Sequence, residues 1–157
     1  VGTDARMCQS LTRAADELGF ILHLWEVERT PAAGRVILQR ILDEEPRPTA
    51  VLSLNEVAAA GFTNAAAVAG LPVPDHFSVV GLNMGDVAAD LTVPRMTTVS
   101  PSPAILMTKA MDALESLIEK DPEFFMQLLV KPSLTIRDSS SPVQELEIWP
   151  ACPQEVT

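Results

Sequence analysis

Between Thr49 and Leu82 the chain runs through two short apolar stretches separated by one Ala-rich helical stretch, and this spacing constrains the fold more than any other feature. Thr49 to Leu54 is a continuous apolar run ending at Asn55, of the kind buried on both faces of a parallel sheet. Glu56 through Ala69 is Ala-rich, Gly70 supplies a stop, and Leu71-Pro72-Val73-Pro74-Asp75 forms a turn before the second run, Ser78 to Leu82. Parallel pairing requires a crossover of about a dozen residues, whereas antiparallel neighbours need only a tight turn. The expected fold is therefore α/β, a doubly wound parallel sheet in three α/β/α layers.

The flanking segments extend the alternation. From Asp4, the positions Met7, Leu11, Ala14, Ala15 and Leu18 recur at helical spacing and Gly19 follows as C-cap. Phe20 to Val27 is short, apolar and rich in strand formers, which predicts a strand. Thr30 as N-cap and Pro31 at the first helical position then open a helix with Val36, Ile37, Ile41 and Leu42 on its buried face. After Pro94, Met96 to Val99 reads as one more strand. Ser102 and Pro103 start a helix with Leu106, Ala110, Met111, Leu114, Leu117 and Ile118 on one stripe, which needs a partner surface. Leu128 to Ile136 reads as a final strand pair interrupted at Pro132, and residues 139–157, which lose periodicity, as a tail.

Composition narrows the function classes. Hydrophobic residues make up 47% of the chain, enough for a sizeable core. A net charge of −10 and the absence of any Lys/Arg cluster argue against direct contact with nucleic acid. Cys8 and Cys152 are too few and too far apart for a disulfide framework or a zinc site, so no metal is expected and a reducing, cytoplasmic setting is. No apolar run reaches the roughly 20 residues that span a bilayer. Dinucleotide, P-loop, nucleophile-elbow and zinc-protease patterns are all missing, so neither an enzyme nor a cofactor is expected.

In an open parallel sheet, ligands bind beyond the carboxyl ends of the strands. Asn55 and Asn83 each end a strand, and Arg6 opens the first helix. An amide offers both donor and acceptor and a guanidinium a planar fork of donors, which suits the hydroxyls and carbonyls of a small polar molecule. Each residue also has a plainer reading: Asn55 as a helix cap, Asn83 as a turn former, Arg6 as a solvated partner of Asp4. His23 and His76 read as packed or solvated, Cys8 as a quiet thiol, and Trp25 as core or edge.

Several stretches together resemble one family. Arg47-Pro48-Thr49-Ala50-Val51-Leu52-Ser53-Leu54-Asn55-Glu56 followed by Ala59-Ala60-Gly61, the segment Gly70 to Gly81, Leu91-Thr92-Val93-Pro94-Arg95-Met96-Thr97-Thr98-Val99, and Pro132 with Leu134, Arg137 and Ser139 are similar to motifs of LacI/GalR transcription regulators, in that family's order. The resemblance spans roughly residues 3 to 139. It implies a periplasmic-binding-protein-like (type I) sensor with two subdomains: residues 1–95 would belong to the second, 96–126 would cross back to the first, and 127–138 would supply closing strands. It further implies a small-molecule effector between the subdomains, operator DNA read by a separate helix-turn-helix, and a homodimer contacting through the Val57 to Val68 helix and the Met84 to Leu91 loop.

Effector contacts carry over residue by residue. Arg6 matches the family's sugar-contacting arginine and Asn55 the asparagine that ends its strand. Asn83 stands where the family usually has an aspartate, and Met84 replaces a second acidic residue. Arg29 falls near a position commonly held by a stacking aromatic, and Gln9 and Ser10 replace a Gly-aromatic pair. These departures weaken acceptor strength and leave sugars, nucleosides and acids open as effectors. An exported solute-binding protein of a transporter shares the same fold and is the alternative reading.

Overall fold

The computed structural model describes residues 3–119 and 127–142. The order is α1 (Thr3–Leu18), α2 (Pro31–Asp43), β1 (Ala50–Ser53), α3 (Glu56–Val68), β2 (Ser78–Leu82), α4 (Asp86–Asp90), β3 (Thr97–Ser100), α5 (Pro103–Glu119) and β4 (Ser133–Thr135). The strands form a sheet in the order β1-β2-β3-β4: β1, β2 and β3 are parallel, and β4 adds an antiparallel edge. The α/β expectation holds, with a mostly parallel sheet and crossover helices between its first strands.

Local chemistry accounts for the element ends. The Thr30 hydroxyl accepts from the Ala33 N–H at 3.3 Å, with Pro31 at the first helical position, where its missing N–H costs nothing. Gly19 and Gly70 follow α1 and α3 with φ of 73° each, the left-handed conformation that closes a helix. Where α2 crosses α3, small residues let the two backbones touch. A Cβ on Gly34 would run into the backbone of Gly61 and Phe62, and one on Gly61 into Pro31. Around that crossing lies the core, in which Ile37, Ile41, Phe62, Phe77, Val79, Met84 and Met96 are buried and Phe62 meets Phe77 edge to face. Burying these side chains supplies the main driving force, about 25 cal/mol per Å² of apolar surface.

Several expectations need correction. Phe20 to Val27 is not a strand. Its side chains alternate as in one, with Trp25 and Val27 packed on the core and Glu26 and Glu28 outward, and His23 stacks on Trp25 at 5.5 Å. Among the described residues, however, no neighbouring backbone completes a ladder with this segment. Period-two polarity reports which face is apolar; it does not supply a pairing partner. The Thr49 to Leu54 run is likewise not buried on both faces. As β1 it is a sheet edge, with Val51 and Ser53 half-buried while Leu52 is 43% exposed. The final strand pair shrinks to β4, since residues 127–132 precede it without regular structure.

Two segments are more ordered than expected. Met84 to Leu91, read as a loop, contains α4. The expected tail starts too early, because Ser139 is completely buried. β3 pairs in parallel with β2 through Thr97, Thr98 and Val99. The remainder of the expected tail, residues 143–157, lies outside the described residues, as does Cys152. On α5 the apolar stripe is exposed along its length, and Ile105 and Lys109 line an open, mostly apolar hollow with residues 128–131. No helix among the described residues is long and apolar enough to cross a membrane.

Candidate functional site

The register of the parallel strands defines the candidate site. Ser53 of β1 lies opposite Gly81 of β2, so two residues later Asn55 and Asn83 leave the same carboxyl edge on neighbouring strands, which are spaced about 4.8 Å apart. The structure thus brings these two amides to one edge.

Asn55 is tied down by its neighbours. Its backbone N–H donates to the Ser53 hydroxyl at 3.2 Å, and that hydroxyl donates to the Asn55 carbonyl at 2.8 Å. Its side-chain Oδ1 accepts from the N–H groups of Val57 and Ala58, at 2.9 and 3.2 Å, and so caps α3. The plainer reading of Asn55 as a cap is therefore correct for the oxygen. It does not account for the amide nitrogen, because an aspartate would cap equally well. Oδ1 is committed to the helix, and the Nδ2 donor is left for another group.

Asn83 sits in a left-handed turn with φ 55°, a conformation asparagine adopts more readily than other non-glycine residues. Its backbone N–H donates to the Val99 carbonyl at 2.9 Å, which extends the β2–β3 ladder to the edge. The side chain is exposed and makes no hydrogen bond with another described residue, so both its donor and its acceptor are available. The following Met84 turns inward, only 2% exposed, against Gly81. The position that carries a second acid in the resembled family is thus a core position here.

Arg6 and Arg29 are placed differently. Arg6 is exposed in the first turns of α1, where its carbonyl accepts from the Ser10 hydroxyl at 2.9 Å. Arg29 is exposed just ahead of the Thr30 cap. Neither guanidinium forms an ion pair or hydrogen bond with a described residue, and no such bond ties either one to the asparagine edge. Among the described residues no group of His, Cys, Asp and Glu could hold a metal ion.

Sequence reasoning missed the polar latch on the far side of the sheet. The Ser139 hydroxyl accepts from the Thr97 N–H at 2.8 Å and donates to the Val79 carbonyl at 2.6 Å, and the Ser139 carbonyl accepts from the Val79 N–H at 2.7 Å. Arg95 grips Asp138 with two bonds of 2.7 and 3.2 Å, and this hydrogen bond holds the Asp138 carboxyl below its ordinary range. Arg137, with only 10% of its side chain exposed, reaches Asp86 at 2.6 Å and Asp90 at 3.0 Å. The signal was present, since Arg137 and Ser139 belong to the motif quoted above, but a single sequence does not say what a charged and a small polar residue grip.

A mainly parallel sheet with crossover helices is an open α/β fold of the class that binds ligands beyond the carboxyl ends of its strands. The chain belongs to the periplasmic binding protein-like domain family, whose model matches residues 2–140, and within it to the LacI/GalR type of effector-binding domain. The HTH-type transcriptional repressor PurR of Mannheimia succiniciproducens is 34% identical over 117 residues, 74% of this chain and 34% of that protein. A solved LacI family transcriptional regulator from Bifidobacterium animalis subsp. lactis superposes with a TM-score of 0.76 at 25% identity, covering 92% of this chain and 52% of the other. A LacI family regulator from Arthrobacter sp. FB24, solved in complex with lactose, shares the fold at a TM-score of 0.72 and 24% identity, over 85% of this chain and 50% of its own. The chain spans about a third of the length of the curated relatives it matches. These relatives are transcriptional regulators rather than enzymes or transport proteins.

Proposed function

We propose that this chain forms one wall of the effector cleft of a LacI/GalR-type transcriptional repressor, with a small polar molecule held at the carboxyl edge of the sheet. The observation that supports the reading is the β1–β2 register, whose last pair, Ser53 opposite Gly81, lies two residues before Asn55 and Asn83, at the carboxyl ends of neighbouring strands. In this reading Asn55 donates through Nδ2, Asn83 both donates and accepts, and Arg6 and Arg29 supply cationic donors from the flanking segments. The effector class is a sugar, a nucleoside or a small acid, and the lactose-bound Arthrobacter regulator supports a sugar.

Sensing then works by population shift. An effector that binds the closed arrangement of two subdomains better than the open one biases closure by its differential affinity, and closure changes the spacing of the distant DNA-reading heads. Operator DNA is read by a separate helix-turn-helix, in keeping with the chain's charge of −10. A second copy docks over α3 and α4, where Val68, Val87 and Leu91 stand exposed.

The test is a melting-temperature titration of the gene product carrying both subdomains against ribose, lactose, sucrose, adenosine, guanosine and citrate. A true effector at 100 times its Kd adds about 2.7 kcal/mol and raises the midpoint by several degrees. No shift with any of them removes the sensing reading.

A further inference from the structure

We propose that Arg137 is a positioning residue for the effector-facing turn, acting as a clamp that holds Asn83 in place by fixing α4. This rests on the reading of Asn83 as an effector contact. The turn runs from Asn83 to Gly85 directly into α4, a helix of five residues. One so short has no stability of its own, because helix nucleation is unfavourable and few bonds follow it. Its cap residue Gly85 offers no side-chain hydrogen bond, so something outside the helix must hold it.

The structure shows what does. Asp86 and Asp90 stand one helical turn apart, and the Arg137 guanidinium bridges them, with Nη2 on Asp86 at 2.6 Å and Nε on Asp90 at 3.0 Å. The same guanidinium donates through Nη1 to the Met96 carbonyl at 3.0 Å and to the Thr98 hydroxyl at 2.9 Å. Arg137 is itself pinned, since its backbone N–H donates to the Thr97 hydroxyl at 3.0 Å. One side chain thus ties both ends of α4 to β3, using the planar donor fork that a lysine lacks. Asp90, at the carboxyl end of a helix, would be mildly unfavourable without that cation.

Without the clamp, α4 keeps buried Ala89, whose carbonyl accepts from the Met96 N–H at 3.0 Å and the Thr92 hydroxyl at 2.8 Å, and the turn ahead of it keeps buried Met84, whose carbonyl accepts from the Ser100 hydroxyl at 3.1 Å; none of these contacts fixes the exposed Asn83 side chain or the Asp86 face of the helix. The Asn83 turn would then sample orientations in which its amide misses the ligand. Arg137 touches no ligand in this account; it works through the backbone of residues 83–90.

Hydrogen exchange on the full chain decides the matter with no ligand present. Arg137→Gln, and the paired Asp86→Asn/Asp90→Asn variant at sites whose side chains are 70% and 56% exposed, are compared with the parent. The second variant leaves Arg137 and the core intact. Both are expected to speed exchange of the Asn83, Ala89 and Leu91 amides roughly tenfold while the Ala59 amide of α3 and the Ala69 amide at its C-cap keep their rates. Arg137→Lys should fall between, because it keeps charge and loses the fork. Affinity for whichever compound of the panel above stabilises the parent should drop at least fivefold in the paired variant. Unchanged exchange at residues 83–91, an equal rise throughout α3, or loosened exchange with unaltered affinity would each overturn the clamp. If no panel compound binds the parent, the sensing reading alone fails, and the exchange rates still decide whether Arg137 holds the turn.

Discussion

The two ends of the parallel strands use their polar groups in opposite ways. At the amino ends of β2 and β3, the chain's own segment 138–141 is built into the sheet. Val79 and Thr97 bond to Ser139, Ser78 bonds to Ser141, and Arg95 grips Asp138. At the carboxyl ends, Asn55 keeps its amide nitrogen uncommitted and Asn83 its whole amide. Donors and acceptors satisfied internally at a buried edge contribute to stability, whereas exposed ones at the opposite edge are free to meet water or, in the reading proposed above, a ligand. The difference teaches where to look for function in a sheet that carries polar side chains at both ends.

Substitutions at the two ends should therefore fail in different assays. The largest expected effect is Ser139→Ala, which strands the buried Thr97 N–H and Val79 carbonyl. It should cost about 3 kcal/mol in a denaturant melt and leave the affinity of the surviving folded protein unchanged. A loss below about 1 kcal/mol would show that the amino end is not the latch it resembles.

Next comes the pair Asn55→Ala and Asn55→Asp. Alanine removes the cap of α3 and should lower stability by about 1 kcal/mol, whereas aspartate preserves the cap to within a few tenths. Both lose the Nδ2 donor, so both should weaken effector binding. If aspartate binds as well as asparagine, Asn55 is a cap and nothing more, and the contrast between the two ends loses half its support.

The smallest effect concerns pH at the Arg95–Asp138 pair. The Asp138 carboxyl is held low chiefly by the hydrogen bond from Arg95, so its folded value lies below its unfolded one. Its contribution is present above the unfolded value of about 3.9 and fades as pH falls through the folded value. Both side chains are more than half exposed, so the gain is slight. Asp138→Asn should abolish only a shallow acid-side slope in the melting temperature.

How far the sequence carried the fold depends on whether the deciding contacts are local. The Thr30–Pro31 start of α2, the Asn55 start of α3, the Gly19 and Gly70 stops and the β2 strand were all readable, because caps and glycine turns act within a few residues. Phe20 to Val27 was misread because a strand is defined by its neighbour, and alternating polarity reports only its buried face. Ser139 reads as tail in the sequence because its partners Val79 and Thr97 lie 60 and 42 residues away. At the candidate site, Asn55 and Asn83 were legible from strand order alone. Arg6 was legible from its place at the start of the first helix and Arg29 from the resemblance alone, and no bond in the structure joins either to that edge.

The central claim is that the carboxyl edge is the ligand face. Calorimetric titration of a panel compound into the parent, Asn83→Ala and Arg95→Gln tests it most directly, since Asn83 and Arg95 stand at opposite ends of the same strands. The account predicts at least a tenfold loss of affinity, about 1.4 kcal/mol, for Asn83→Ala and no change for Arg95→Gln. Undiminished binding by Asn83→Ala together with a loss in Arg95→Gln would contradict it.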